Sequence, residues 1–171
     1  RTKSGFTVGL LDAVANRETA RYLTAPGQRQ VDQMVEPLSN YFVGRVKKDL
    51  NEGATTVGAI VTSTARRLDG DTVAVDRLRS HAEAYGVDWT HRWHRRDYSW
   101  RGTLVASNIA GSPAAIAVAE RSSAHYFQRP DRRVTTDGLF GARYDTTLSS
   151  LQGYGLYTRL AKDNGNWLWE T

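Results

Sequence analysis

The connectors between the extended segments of this chain alternate in length. Residues 16–37, 68–81 and 111–145 are long connectors, and residues 51–53, 94–97 and 163–166 are short ones. Consecutive antiparallel strands with tight turns at one end and long loops at the other predict an up-and-down meander, and barrels that cross membranes carry this asymmetry. Most segments run for about a dozen residues, whereas strands of globular proteins average about 5–6 and a tilted membrane strand needs about 9–11.

Strict alternation supports the strand reading. Phe6, Val8 and Leu10 fall on one face of the first segment, with Thr7 and Gly9 on the other. In the second, Phe42, Gly44 and Val46 oppose Tyr41, Val43, Arg45 and Lys47, and Asn51-Glu52-Gly53 turns the chain. The third, Ala54 to Arg67, is rich in threonine and valine but reads poorly by face, because Ile60 and Val61 point to opposite sides. Tyr85, Val87 and Trp89 form an apolar row against Gly86, Asp88, Thr90 and Arg92; Trp100, Gly102, Leu104 and Ala106 oppose Arg101, Thr103, Val105 and Ser107. The sixth segment sets Tyr154, Leu156 and Leu160 against Gly153, Gly155, Tyr157 and Arg159, and Asp163-Asn164-Gly165-Asn166 turns before Trp167. Seven antiparallel strands are expected, the last one cut short. Glycines inside them, such as Gly58 and Gly102, mark bends or close approaches of another side chain.

Low hydropathy is consistent with a membrane barrel. Mean hydropathy of −0.53 with 40% hydrophobic residues leaves no run long enough for a spanning helix, which needs about 20 apolar residues. Barrel strands escape that requirement because every second residue is free to be polar. The 171 residues contain no cysteine, so neither a disulfide framework nor a thiolate metal site is available. The chain opens on Arg1-Thr2-Lys3-Ser4 and stops at Trp169-Glu170-Thr171, inside what reads as a strand. It is expected to be one partial domain, residues 1–171, truncated at both ends. Within the last long connector, Ser112 reads as an N-cap, Pro113 as a first helical residue and Ala114 to Arg121 as a short helix, giving a helical segment over 112–121.

All five tryptophans, Trp89, Trp93, Trp100, Trp167 and Trp169, lie within five residues of one of two short turns. Tryptophan prefers the headgroup level of a bilayer, so these form a candidate aromatic girdle. Basic residues mark all three short turns: Lys47 and Lys48 before the first, Arg92, Arg95 and Arg96 around the second, and Arg159 and Lys162 before the third. They are placed to meet lipid phosphates or simply to be solvated. Arg66, Arg67, Arg77, Arg79, Arg132 and Arg133 sit at the opposite end, so positive charge alone does not orient the chain.

Signals of chemistry are weak. His91 and His94 are three apart on a strand and converge on a metal only if the turn bends them together; His81 and His125 read as isolated loop residues. Asp69-Gly70-Asp71 with Asp76 lacks the bidentate glutamate of a calcium loop and reads as loop acid. No phosphate loop, nucleophile elbow or paired catalytic carboxylates occur. No enzyme, metal or cofactor is expected. Net charge of +5 permits nucleic acid as a partner, but membrane spanning also accounts for strand length and connector asymmetry, so none is expected.

Four strings carry a family resemblance: SGFTVGLLDAV at 4–14, EPLSNYFVGR at 36–45, RSSAHYFQRPD at 121–131 and TTLSSLQGYG at 146–155. The chain resembles an uncharacterised bacterial family whose members pair a domain similar to carbohydrate-binding module family nine with a large C-terminal outer-membrane β-barrel domain of unknown function. The resemblance implies an all-β meander forming part of a larger barrel in the outer membrane of a Gram-negative-type bacterium. The implied role is pore-like or that of a surface scaffold, linked to glycan through a domain absent here. Expected partners are outer-membrane lipid, the remaining strands of the barrel, and glycan or small anionic solutes. By strand parity Arg45, Lys47, Asp88, Arg92, Arg101 and Arg159 share one face and are the lumen candidates. They would either set a cationic field favouring anionic solutes or form a salt-bridged, plugged interior. The alternative is a soluble antiparallel β-sandwich binding module, in which Phe42, Val46, Tyr85, Val87, Trp89, Leu104, Tyr154 and Leu156 would converge on a dry core.

Overall fold

Alternation carries the chain through five strands of thirteen residues or nearly so, and the turns between them reverse its direction each time. The computed structural model describes residues 2, 4–23, 25–26, 30–68, 71–123 and 144–171. Strand β1 is Phe6–Ala15, β2 Glu18–Leu23, β3 Gln30–Glu36, β4 Leu38–Leu50 and β5 Thr55–Arg67; helix α1 is Thr72–Arg77. Then come β6 His81–Trp93, β7 Tyr98–Ala110, helix α2 Pro113–Glu120, β8 Ser150–Lys162 and β9 Trp169–Glu170. One seven-stranded sheet runs in the order β1-β4-β5-β6-β7-β8-β9, antiparallel throughout. Its outer strands β1 and β9 do not pair with each other, so the sheet is open and not a closed barrel. Among the described residues no second sheet packs on it, since β2 and β3 pair only with each other.

The first long connector is not a bare loop. Its Glu18–Leu23 and Gln30–Glu36 segments form a hairpin, tied by Arg21 Nε to Asp32 Oδ1 at 2.9 Å and Tyr22 to Gln33 at 2.8 Å. The second holds α1, whose N-cap Asp71 accepts a hydrogen bond from the Ala74 amide at 2.9 Å. Asp71 is thus a helix cap and not simply loop acid; Asp69 and Gly70 lie outside the described residues. His81, read as a loop residue, opens β6 and pairs in register with Ala110 and Ala65. His125, Arg132, Arg133 and most of the RSSAHYFQRPD string lie outside the described residues.

The third long connector contains the expected helix. Ser112 accepts from the Ala115 amide at 3.1 Å while donating to the Val75 carbonyl at 2.8 Å, and Pro113 occupies the first turn where no amide is needed. Its eight residues would be marginal alone, so packing holds it. Ala115, Ile116, Ala117, Ala119 and Glu120 are all buried, and Glu120 accepts from the Asp145 amide at 3.1 Å. Met34 of the hairpin, Leu68 and Ala74 form a small cluster nearby with Val75 and Leu78. Among the described residues the buried apolar groups therefore gather in the long connectors, Ala161 of β8 apart, and the faces of the sheet are left largely open.

Candidate functional site: two faces of one sheet

The registers bring side chains into rows that cross the sheet. Val8, Val46, Ala59, Val87, Leu104 and Leu156 make one row, and Leu10, Gly44, Val61, Tyr85, Ala106 and Tyr154 the next. Protein covers little of this surface: Leu10 is 73% exposed, Leu156 67% and Leu104 49%. Toward the long connectors the following row turns polar, with Asp12, Ser63, Glu83, Asn108 and Gln152 beside Phe42. Contiguous apolar surface of this extent marks a contact with another apolar phase or partner.

Toward the short turns the same face becomes aromatic. Trp89, Trp93, Trp100 and Trp169 share it by register, together with His91, Tyr98 and Lys162. Trp89 and Trp100 meet edge to face at 5.3 Å between ring centroids, and Trp93 stacks on both His91 (5.5 Å) and Tyr98 (5.6 Å). The Trp89 ring lies across Gly102 of β7, where a Cβ would come within 2.2 Å of it. Trp100 donates its Nε1 hydrogen to Thr158 at 2.9 Å. Trp167 stands apart, 81% exposed and just outside β9. His91 and His94 do not act together: His91 Nδ1 lies 2.8 Å from the Thr55 hydroxyl, while His94 sits in the turn at φ 50° with its ring edge-on to Tyr98.

The opposite face gathers Arg45, Lys47, Asp88, Arg92, Arg101 and Arg159, and the registers put all six on that one side. Arg45 on β4 reaches over β5 to Asp88 on β6, Nη1 to Oδ2 at 2.5 Å. The bridge passes above Gly58, where a Cβ would lie 2.5 Å from the guanidinium and 2.8 Å from the carboxylate. Arg101 and Arg159 stand directly opposite each other, a like-charge pair that opposes sheet formation unless neutralised. Arg159 is neutralised by Glu170, with Nε to Oε2 at 2.8 Å, and more distantly by Asp163 at 3.7 Å. Ser99 donates to Asp163 at 2.5 Å. That bond holds the Asp163 carboxyl below its usual range against a smaller desolvation penalty, and Arg159, Arg101 and Arg92 add to the effect. Among the described residues Arg92 and Arg101 make no ion pair of their own. The face is not wholly polar, because Val43, Ile60 and Val105 also lie on it.

Among the described residues no cluster of three or more metal-ligating groups occurs. Parity was enough to find the charged face, but the bridge over Gly58 and the stacking of Trp93 on Tyr98 depend on cross-strand register. Sequence reasoning also missed Asp163 and Glu170 as partners of Arg159. Their signal was the acidic residue directly after β8 and the glutamate ending the chain's last strand.

A family model described as a domain of unknown function (DUF5916) matches residues 1–170. The chain belongs to that family. No curated protein and no solved structure matches it.

Proposed function

We propose, with membership of the DUF5916 family as the premise, that this sheet is a stretch of the wall of a bacterial outer-membrane β-barrel. The face of Val8, Val87, Leu104 and Leu156 meets acyl chains, and the face of Arg45, Asp88, Arg101 and Arg159 lines the interior. The observation that carries this is the uncovered apolar band, bordered by a polar row at one end and by tryptophans at the other. Together with its polar and aromatic borders, from Glu83 to Trp93, the band takes ten steps of β6, about 33 Å of strand at ~3.3 Å per residue. A tilt of about 40° brings this to about 25 Å of height for the band and its borders together, on the scale of a membrane barrel's wall. Tyrosine and tryptophan at its margin are the residue types that favour the level where hydrocarbon gives way to water. With long connectors outside and short turns inside, the interior cations act on anionic solutes entering a pore, or the chain serves as a surface scaffold. A link to glycan rests on the family resemblance alone.

The test is partition and quenching. Protein expressed in a Gram-negative host should resist extraction by salt or alkali and come out with detergent, and brominated lipids should quench its tryptophan fluorescence. Release by salt with unquenched tryptophans would remove the membrane assignment. Reconstituted full-length protein showing neither conductance nor solute uptake would remove the pore and leave the scaffold.

A further inference from the structure

At the short-turn end of the apolar face, the side chains of His91, Trp93, Trp100 and Leu160 line a shallow, outward-opening cleft of about 440 Å³. All four residues project from the same side of the sheet. Its aromatic wall is fixed in advance: Trp93 stacks with His91 and with Tyr98, ring planes within 16° of parallel, while Trp89 and the Thr158 hydroxyl hold Trp100, and Trp93 and Trp100 keep exposed surface. Rings held in this way lose little further rotamer freedom when a ligand meets their exposed surface, which favours recognition.

Aromatic faces attract cations through the ring quadrupole, most strongly in tryptophan. Immediately beside the cleft stands a cation of the protein's own. Lys162 is paired in register with Tyr98, its Nζ lies 6.0 Å from the Tyr98 ring centroid, and among the described residues it makes no ion pair. A wall that draws positive charge next to a free positive charge suits a ligand bearing both signs a few atoms apart. A purely apolar ligand would gain nothing from Lys162, and a purely anionic one nothing from the indoles.

We propose that this cleft is a headgroup site for a zwitterionic phospholipid of the phosphatidylethanolamine class, its ammonium against Trp93 and Trp100 and its phosphate at Lys162. The assignment rests on the membrane reading above, because the lipid's acyl chains then continue along Val87, Leu104 and Leu156. It goes further in requiring discrimination between headgroups, where a general girdle needs only an interface.

Native mass spectrometry of the detergent-solubilised protein, with phosphatidylethanolamine or phosphatidylglycerol added in equal amount, reads that discrimination. The expected result is about threefold tighter retention of phosphatidylethanolamine, the scale of an exposed cation–π contact. Trp93→Leu should bring that lipid down to the level of phosphatidylglycerol, and Lys162→Gln should weaken both. Circular dichroism checks the fold of each variant, and Trp100→Leu replaces Trp93→Leu if the latter loses strand signal. Equal retention of the two lipids by the unsubstituted protein, or a preference that survives loss of either indole, overturns the site. A protein that partitions into vesicles yet shows equal retention sinks the headgroup assignment alone; one that does not partition sinks the membrane reading and this with it.

Discussion

The two faces of the sheet solve the same geometric problem with opposite chemistry. On each, a long side chain crosses a neighbouring strand, and a glycine beneath it makes room: Trp89 lies across Gly102 on the apolar side, and Arg45 reaches Asp88 across Gly58 on the charged side. The apolar crossing adds flat aromatic surface to a face that protein leaves bare. The ionic crossing instead satisfies two charges within a partly covered surface, each side chain about 35% exposed. Glycine in these strands thus marks where another residue needs the space above the backbone, and the side of the sheet decides which kind of residue takes it.

The sharpest way to break the contrast is to put charge on the wrong face. Val87→Arg or Leu104→Arg should cost about 2–4 kcal/mol in bilayer insertion near the midplane, read from the folded fraction in vesicles on gels run without heating. Unchanged assembly of both variants would mean that this face does not meet hydrocarbon. Next come the glycines. Gly102→Val drives a side chain into the Trp89 ring and should lower stability by about 1–3 kcal/mol in denaturant unfolding, with a shifted tryptophan emission. Gly58→Ala should cost less, about 1 kcal/mol, because the far end of an arginine can move aside where a packed indole cannot. If the two substitutions cost the same, the two crossings do not differ in rigidity.

Asp88→Asn keeps the shape of the ionic crossing but removes its charge. A loss of about 0.5–1 kcal/mol is expected, since solvent still reaches the pair, and a double-mutant cycle with Arg45→Gln isolates the coupling. The smallest effect concerns Asp163. Its carboxyl titrates lower in the folded chain than in the unfolded one, so the stability it lends is fully present above the ordinary carboxylate pKa and fades as pH falls through the depressed folded value. Ser99→Ala removes the leading cause and should raise the folded midpoint toward the ordinary range, narrowing that acidic window, as an NMR titration of the carboxyl would register.

Long strands were the most legible part of the chain. Period-two alternation and the Asn-Glu-Gly and Asp-Asn-Gly-Asn turns placed the six long strands of the sheet, because nothing in the tertiary structure competes with a pattern sustained for thirteen residues. The short elements were hidden. In α1 the segment Thr72-Val73-Ala74-Val75 carries β-branched residues that disfavour helix, and packing near Met34 and Leu68 overrides that weak propensity. The β2–β3 hairpin was obscured by a connector full of polar residues, with an Arg21–Asp32 ion pair visible only once the register is known. Ile60, which spoiled the facial reading of β5, rests against Gly86 on the charged side. Parity could assemble the charged face, but it could not say which of its cations are neutralised, since that depends on Glu170 and Asp163 arriving from beyond the end of β8.

The link between Arg45 and Asp88 also works as a check on assembly. It joins β4 to β6 over an intervening strand, so it forms only when β4–β5 and β5–β6 are both correctly aligned. A slip of one residue in either pairing would present the opposite side of a strand and set a residue with a side chain, Val57 or Ala59, where Gly58 now leaves a gap. Misaligned intermediates would thereby lose the contact and gain a collision together once β6 is in place, and a β4–β5 hairpin that settled early in the wrong alignment would be driven to re-pair as that strand adds.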